Sequence, residues 1–150
     1  MSFGRGFISC RNEDHWSAPG AVTLEGGSLG VQIGEKMDIV ILSLDKQRRS
    51  ELLSDPFTIG SDASAAWENR EYAHGDPKAK IFVFGKTKGA FTGLNLDGAT
   101  LKPDDSGNKE LYGRPIKDSE IVEGGVATPA VAQPLVSKLT SLLLPQSATP

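Results

Sequence analysis

Cysteine is nearly missing from this chain of 150 residues: Cys10 stands alone, so no intrachain disulfide can staple the fold and no redox compartment is indicated. Histidine is almost as scarce, with His15 and His74 the only two, which leaves little material for a general base or a metal site. No apolar run reaches the roughly 18 residues of a spanning helix, and the opening Met-Ser-Phe-Gly-Arg-Gly lacks the apolar stretch of a signal peptide. Positive charge is not in excess either. Sixteen Lys and Arg meet 19 Asp and Glu, for a net charge of -3, so the chain is no general nucleic-acid binder. Internal repeats and long linkers are also missing. What remains, at 38% hydrophobic and 23% charged, is the composition of one globular domain large enough to bury a core.

The densest apolar stretch runs from Ser28 to Leu44. Leu29, Val31 and Ile33 alternate with Gly30, Gln32 and Gly34, the period of a half-buried strand. Ile39-Val40-Ile41-Leu42 follows without alternation and predicts a strand covered on both faces. The short Gly34-Glu35-Lys36 link makes the two a hairpin. Arg5 to Arg11 reads as an earlier strand, Asn12-Glu13-Asp14 as a turn, and Val22 and Leu24 as part of a second extended segment. Downstream, Ile81-Phe82-Val83-Phe84 predicts another strand buried on both faces, turned by Gly85-Lys86-Thr87-Lys88-Gly89 into a second hairpin through Leu96. Trp67 and Tyr72 are expected at the edge of the core. Glycines at 30, 34, 89, 93 and 98 suggest curvature or bulges.

Helices are marked by their ends. Lys46 to Ser54 follows the capping candidate Asp45 and stops at Pro56; Asp104 to Gly113 ends on glycine; Asp118 to Glu123 reads as a single turn. Leu135, Leu139, Leu142 and Leu143 form a one-sided stripe, predicting an amphipathic helix that starts near Pro129 or Pro134, ends at Pro145 and covers the sheet. The fold expected is α+β and mostly β: a curled antiparallel sheet of about six to eight strands, barrel-like or sandwich, with short flanking helices. The domain is expected over residues 1–124, with the C-terminal helix and tail over 125–150.

Motifs with chemical potential have plainer readings. Gly26-Gly27-Ser28-Leu29-Gly30 matches G-x-S-x-G, yet a strand follows Ser28 where the hydrolase elbow needs a helix. A serine hydrolase acting through Ser28 is therefore the most distant alternative. Gly85-Lys86-Thr87 lacks the first glycine of a phosphate loop, since residue 80 is lysine. Glu13-Asp14-His15 and His74-Gly75-Asp76 lack further ligands at convincing spacing, and Asp104-Asp105-Ser106-Gly107 is explained by helix capping. Two basic clusters stand out: Lys46, Arg48 and Arg49 on the first helix, and Lys86 with Lys88 in the second hairpin.

Taken together, several ordered motifs resemble the SYLF domain family over residues 4 to 124. They are Trp16-Ser17-Ala18-Pro19, the G-G-S-x-G-x-Q-x-G series from Gly26 to Gly34, Gly89-Ala90-Phe91-Thr92-Gly93, and Asn108-x-x-x-Tyr112-Gly113. Bacterial members look most similar. The resemblance implies a non-enzymatic module without cofactor or metal that binds phosphoinositides or other anionic phospholipid head groups at a membrane surface. The alternative is a protein-interaction or envelope-scaffold module, since fungal members bind actin filaments. It places Lys86 and Lys88 at a basic pair common just before G-x-F-x-G, and so at candidate lipid contacts; Lys46, Arg48 and Arg49 join them from the residue reading. It implies a peripheral membrane or bacterial envelope location, although the chain shows no signal peptide. The helical segment and strands that the family carries upstream are expected to be lacking here.

Overall fold

The computed structural model describes residues 3–26, 36–43, 53, 56–59, 81–87, 89–93 and 98–142; Ile81, Phe82, Thr87 and Ala90–Gly93 are described by their backbone. Among these residues run nine strands: β1 (Phe3–Ile8), β2 (Arg11–Asn12), β3 (His15–Trp16), β4 (Gly20–Gly26), β5 (Asp38–Ser43), β6 (Phe57–Thr58), β7 (Ile81–Thr87), β8 (Ala90–Gly93) and β9 (Ala99–Pro103). Helices α1 (Asp105–Tyr112), α2 (Asp118–Val122) and α3 (Gln133–Ser141) follow, the last preceded by a 3₁₀ turn at Ala130–Ala132. This is the mostly β, α+β architecture that the patterning predicts. The sheets are ordered β1-β4-β9-β6, β2-β3 and β5-β7-β8; none closes on itself among the described residues, so the barrel-like option gives way to open sheets.

The chain divides into two compact units, one of Met1–Gly4 with Leu24–Lys102 and one of Arg5–Thr23 with Pro103–Pro150. In the first, Ile59, Val83 and Ala99 form the buried core, joined by Leu24, Ile39, Ile41 and Phe57. Strand β5 pairs antiparallel with β7, Ile41 opposite Val83, and β7 pairs with β8, Phe84 opposite Gly93. Two expectations are corrected here. The run Ile39 to Leu42 is not covered on both faces: Ile39 and Ile41 reach the core, whereas Val40 and Leu42 are 41% and 44% exposed. Hydrophobicity alone does not set the number of covered faces; neighbours do, and here one face has them. Gly85 and Lys86 are likewise not turn residues. They lie in β7 opposite Thr92 and Phe91, and the reversal is tighter because Thr87 already pairs with Ala90. Gly89, with φ +84°, holds the left-handed conformation such a turn needs.

The second unit is centred on Ala18, Ile116 and Ile121, with Tyr112 and Val126 against them. The helix α1 shows both predicted ends. Asp104 accepts a hydrogen bond from the Gly107 amide at 2.9 Å, and Gly113 closes the helix at φ 74° with its amide bonded to the Lys109 carbonyl. The single turn expected at Asp118 is α2. Asn12-Glu13-Asp14 does turn the chain, between β2 and β3. The C-terminal helix packs on β3, with Val136, Leu139 and Thr140 half-buried, but Leu135 and Leu142 remain 40% and 59% exposed. The leucine stripe is thus covered only along one margin. The strand from Ser28 to Gly34, the helix from Lys46 to Ser54 apart from helical Leu53, Trp67, Tyr72, Leu94 to Leu96 and Leu143 lie outside the described residues.

Candidate functional site

Of the five basic residues singled out in the sequence, Lys86 is described; Lys46, Arg48, Arg49 and Lys88 lie outside the described residues, as does Ser28. Lys86 sits in β7 with its side chain exposed. Its register partner on β5 is Asp38, also exposed, and its partner on β8 is Phe91. Directly opposed residues of antiparallel strands share a face, so the ammonium of Lys86 stands on the same surface as a carboxylate. Two residues along, Val40 faces half-buried Phe84, and then comes Leu42. The surface formed is an exposed apolar strip, Val40 to Leu42, bordered at one end by opposite charges that nearly cancel. Asp38 was missed by sequence reasoning because it lies 48 positions before Lys86; only the register brings them together.

Two of the ordered motifs, Trp16–Pro19 and Asn108–Gly113, meet in the second unit. Asn108, wholly buried, accepts from the Ala21 amide at 2.7 Å through Oδ1 and donates from Nδ2 to Asp118 Oδ1 at 2.6 Å. The Tyr112 hydroxyl donates to the Pro19 carbonyl. Ser17 completes the loop: its hydroxyl oxygen accepts from the Cys10 amide at 3.0 Å, and its amide donates to the Cys10 carbonyl at 2.8 Å. The Trp-x-x-Pro loop and the Asn-x-x-x-Tyr helix are therefore two halves of one latch. Gly20 is required by it, since a Cβ there would lie 2.4 Å from Asp118 Oδ1, closer than real atoms approach.

The electrostatics of this latch follow from burial. Loss of water pushes the Asp118 carboxyl above its ordinary value; the bond from Asn108 opposes this, and the nearby charges of Asp105 and Asp104 add to it. Burial, with Asp118 beside it, lifts the Tyr112 hydroxyl to about 12. Asp104 moves the other way, held down first by the Gly107 amide and also by Arg5 at 3.1 Å. With Asp118 2% exposed and Asn108 at 0%, these polar atoms are committed to the backbone and to each other. They hold the fold. Among the described residues no group of three or more His, Cys, Asp or Glu is placed to hold a metal ion, and no helix is long and apolar enough to cross a membrane.

A family model described as Ysc84, Las17-binding protein actin regulator, matches residues 25–142. The chain belongs to the Ysc84/SYLF family. An SH3 domain-containing protein of Schizosaccharomyces pombe is 33% identical over 148 residues, covering 92% of this chain and 34% of that relative. The Saccharomyces cerevisiae protein YSC84 is 28% identical over 148 residues, with 92% and 32% covered. The human SH3 domain-containing YSC84-like protein 1 is 28% identical over 149 residues, with 92% and 43% covered. This Ysc84-family chain thus spans about a third to two-fifths of the length of these relatives. No solved structure matches it.

Proposed function

We propose that this Ysc84-family chain is a non-enzymatic interaction module whose working surface is the β5–β7 face, and that its partner is a protein of the kind its relatives' names point to, a Las17-type actin regulator or actin itself. The observation that carries this reading is the exposed strip of Val40 and Leu42 bordered by the opposed Asp38 and Lys86. An apolar centre with charges of both signs at its margin is the usual make-up of a protein-binding patch. Co-sedimentation with actin filaments and capture by a Las17-type partner test it. Val40→Ser with Leu42→Ser alters only side chains that already meet solvent, so the fold should persist while binding falls about tenfold. Unchanged binding by the double variant removes this face; no binding by the wild type to either partner removes the reading.

A second reading, an anionic phospholipid surface, is favoured by one observation: Lys86 is exposed on the same face as the apolar strip. Lys86, Lys88, Lys46, Arg48 and Arg49 would supply the attraction, each near-surface cation adding about 1 kcal/mol. Asp38 opposes it. Lys86→Glu with Lys88→Glu should then lower affinity for anionic liposomes about tenfold at low salt, and less at high salt, where exposed charges are screened within about 10 Å. Equal binding by variant and wild type at low salt would exclude these two lysines as the lipid contact.

A further inference from the structure

Between α1 and its link to α2 lies a cleft of about 260 Å³, lined by Asp105, Ser106, Lys109, Pro115, Ile116 and Lys117. Its shape follows from the local sequence. Residues 105, 106 and 109 fall within a sector of about 100° on α1, and Gly113, left-handed at φ 74°, ends the helix so that Pro115 to Lys117 can return along that sector. Lys117 Nζ then meets Asp105 Oδ2 at 2.9 Å and ties the two walls together. The cleft lies wholly within the second unit. Its lining is chiefly carbon, and Ile116, 5% exposed, joins it to the core of that unit. Of the three charges in the lining, Asp105 and Lys117 satisfy each other. Lys109, exposed on α1, has no side-chain hydrogen bond or ion pair among the described residues.

Size, lining and charge together select an occupant. The cleft is smaller than the roughly 300–1,000 Å³ that engulfs a whole cofactor or drug-sized ligand, so it takes one side chain. Carbon walls over a buried isoleucine favour an apolar one. The uncommitted ammonium of Lys109 favours a carboxylate beside that side chain, because a complementary charge at the rim fixes the register of the bound segment. A phosphate group fits less well, since it brings nearly two negative charges to a cleft that Asp105 also lines. We infer that this cleft docks a protein partner through one apolar side chain flanked by a carboxylate, held by Pro115, Ile116 and Lys109. This is a second contact, beyond the β5–β7 face and independent of it.

The test is an amide NMR titration of the whole isotope-labelled chain with the blocked pentapeptide acetyl-Gly-Asp-Leu-Asp-Gly-amide. Saturable shifts should appear at the amides of Lys109, Ile116 and Lys117, with a dissociation constant on the order of 1 mM. Alanine in place of the peptide's leucine should weaken binding about tenfold, and asparagine in place of both aspartates about threefold. Lys109→Gln changes an exposed side chain, so melting should be unchanged while the discrimination between acidic and neutral peptides disappears. Val40→Ser with Leu42→Ser should bind the peptide as wild type does, which keeps a failure here distinct from a failure of the β5–β7 reading. No shift at these amides up to about 10 mM peptide, equal affinity for the alanine or the asparagine peptide, or full discrimination by Lys109→Gln would each overturn the inference. So would inorganic phosphate moving the same amides at lower concentration, which would make this an anion site. The same shifts on concentrating the chain alone would seat a second copy in the cleft and overturn it too.

Discussion

Replacing Asn108 by Asp changes one atom pair in the latch and should be the most informative single substitution in the chain. Asn108 Nδ2 lies 2.6 Å from Asp118 Oδ1, with the two residues 0% and 2% exposed. The variant puts a carboxylate oxygen where a donor was. With charge centres about 4 Å apart and an effective dielectric of about 20, two like charges repel by about 4 kcal/mol, a large part of the 5–15 kcal/mol by which domains are usually stable. The pair should respond as carboxylate dyads do, one group retaining its proton, so the loss should shrink as pH falls. Urea titrations followed by the fluorescence of the two tryptophans, at neutral and mildly acidic pH, read this directly. The exchanged pair, Asn108→Asp with Asp118→Asn, restores one donor and one acceptor at the same positions and should recover the stability to within about 1 kcal/mol. If Asn108→Asp costs under about 1 kcal/mol at neutral pH, or the exchange is no better than the single change, the contact is not what holds the loop.

Asp118→Asn alone should stabilise the chain at neutral pH and flatten its pH profile: the folded carboxyl titrates above its ordinary value, so its burial costs nothing below about pH 3.8, and the penalty grows as pH rises from there through the folded pKa. Asp104 has the opposite sign. Its depressed value means that its contribution is present above about pH 3.8 and lost as pH falls through the folded pKa, and Asp104→Ala should cost about 1 kcal/mol of helix capping by thermal melting. Gly20→Ala, whose Cβ meets Asp118 Oδ1 at 2.4 Å, should lower the melting temperature markedly, whereas Gly20→Ala with Asp118→Ala should recover part of that loss. Leu139→Asp, at the margin of α3 packed on β3, should cost roughly 2 kcal/mol, whereas polar changes at exposed Leu135 and Leu142 should be tolerated.

What could be read without a structure was what short stretches decide for themselves. Asp104 and Gly113 mark the ends of α1 because capping is a property of a few adjacent residues. The turn at Glu13-Asp14 was legible for the same reason. The β5–β7 face was not: Ile39 to Leu42 displays its hydrophobicity but not its neighbours, so Val40 and Leu42 were expected to be buried. Lys86 was read into the hairpin turn because nothing near it in the chain announces its register partner Asp38. The roles of Asn108 and Tyr112 were hidden in another way. Their motif was conspicuous, yet what it binds, Ala21 and Pro19, lies 87 and 93 positions earlier, and sequence alone carries no record of that pairing.

That separation has a consequence for synthesis on the ribosome. The loop from Trp16 to Ala21 emerges long before the helix that holds it, and at about 5–20 residues per second the 87 positions between Ala21 and Asn108 take roughly 4–17 s to make. During that interval the Ala21 amide has no Asn108 to bind and Pro19 has no tyrosine. The nascent strand beside them carries Phe3 and Phe7, which stay 62% and 60% exposed even after folding. This segment therefore waits, sticky and unlatched, for a helix encoded 87 positions later. Ribosome-associated chaperones should hold it longest there, and slowing translation before codon 108 should raise misfolding more than slowing it after.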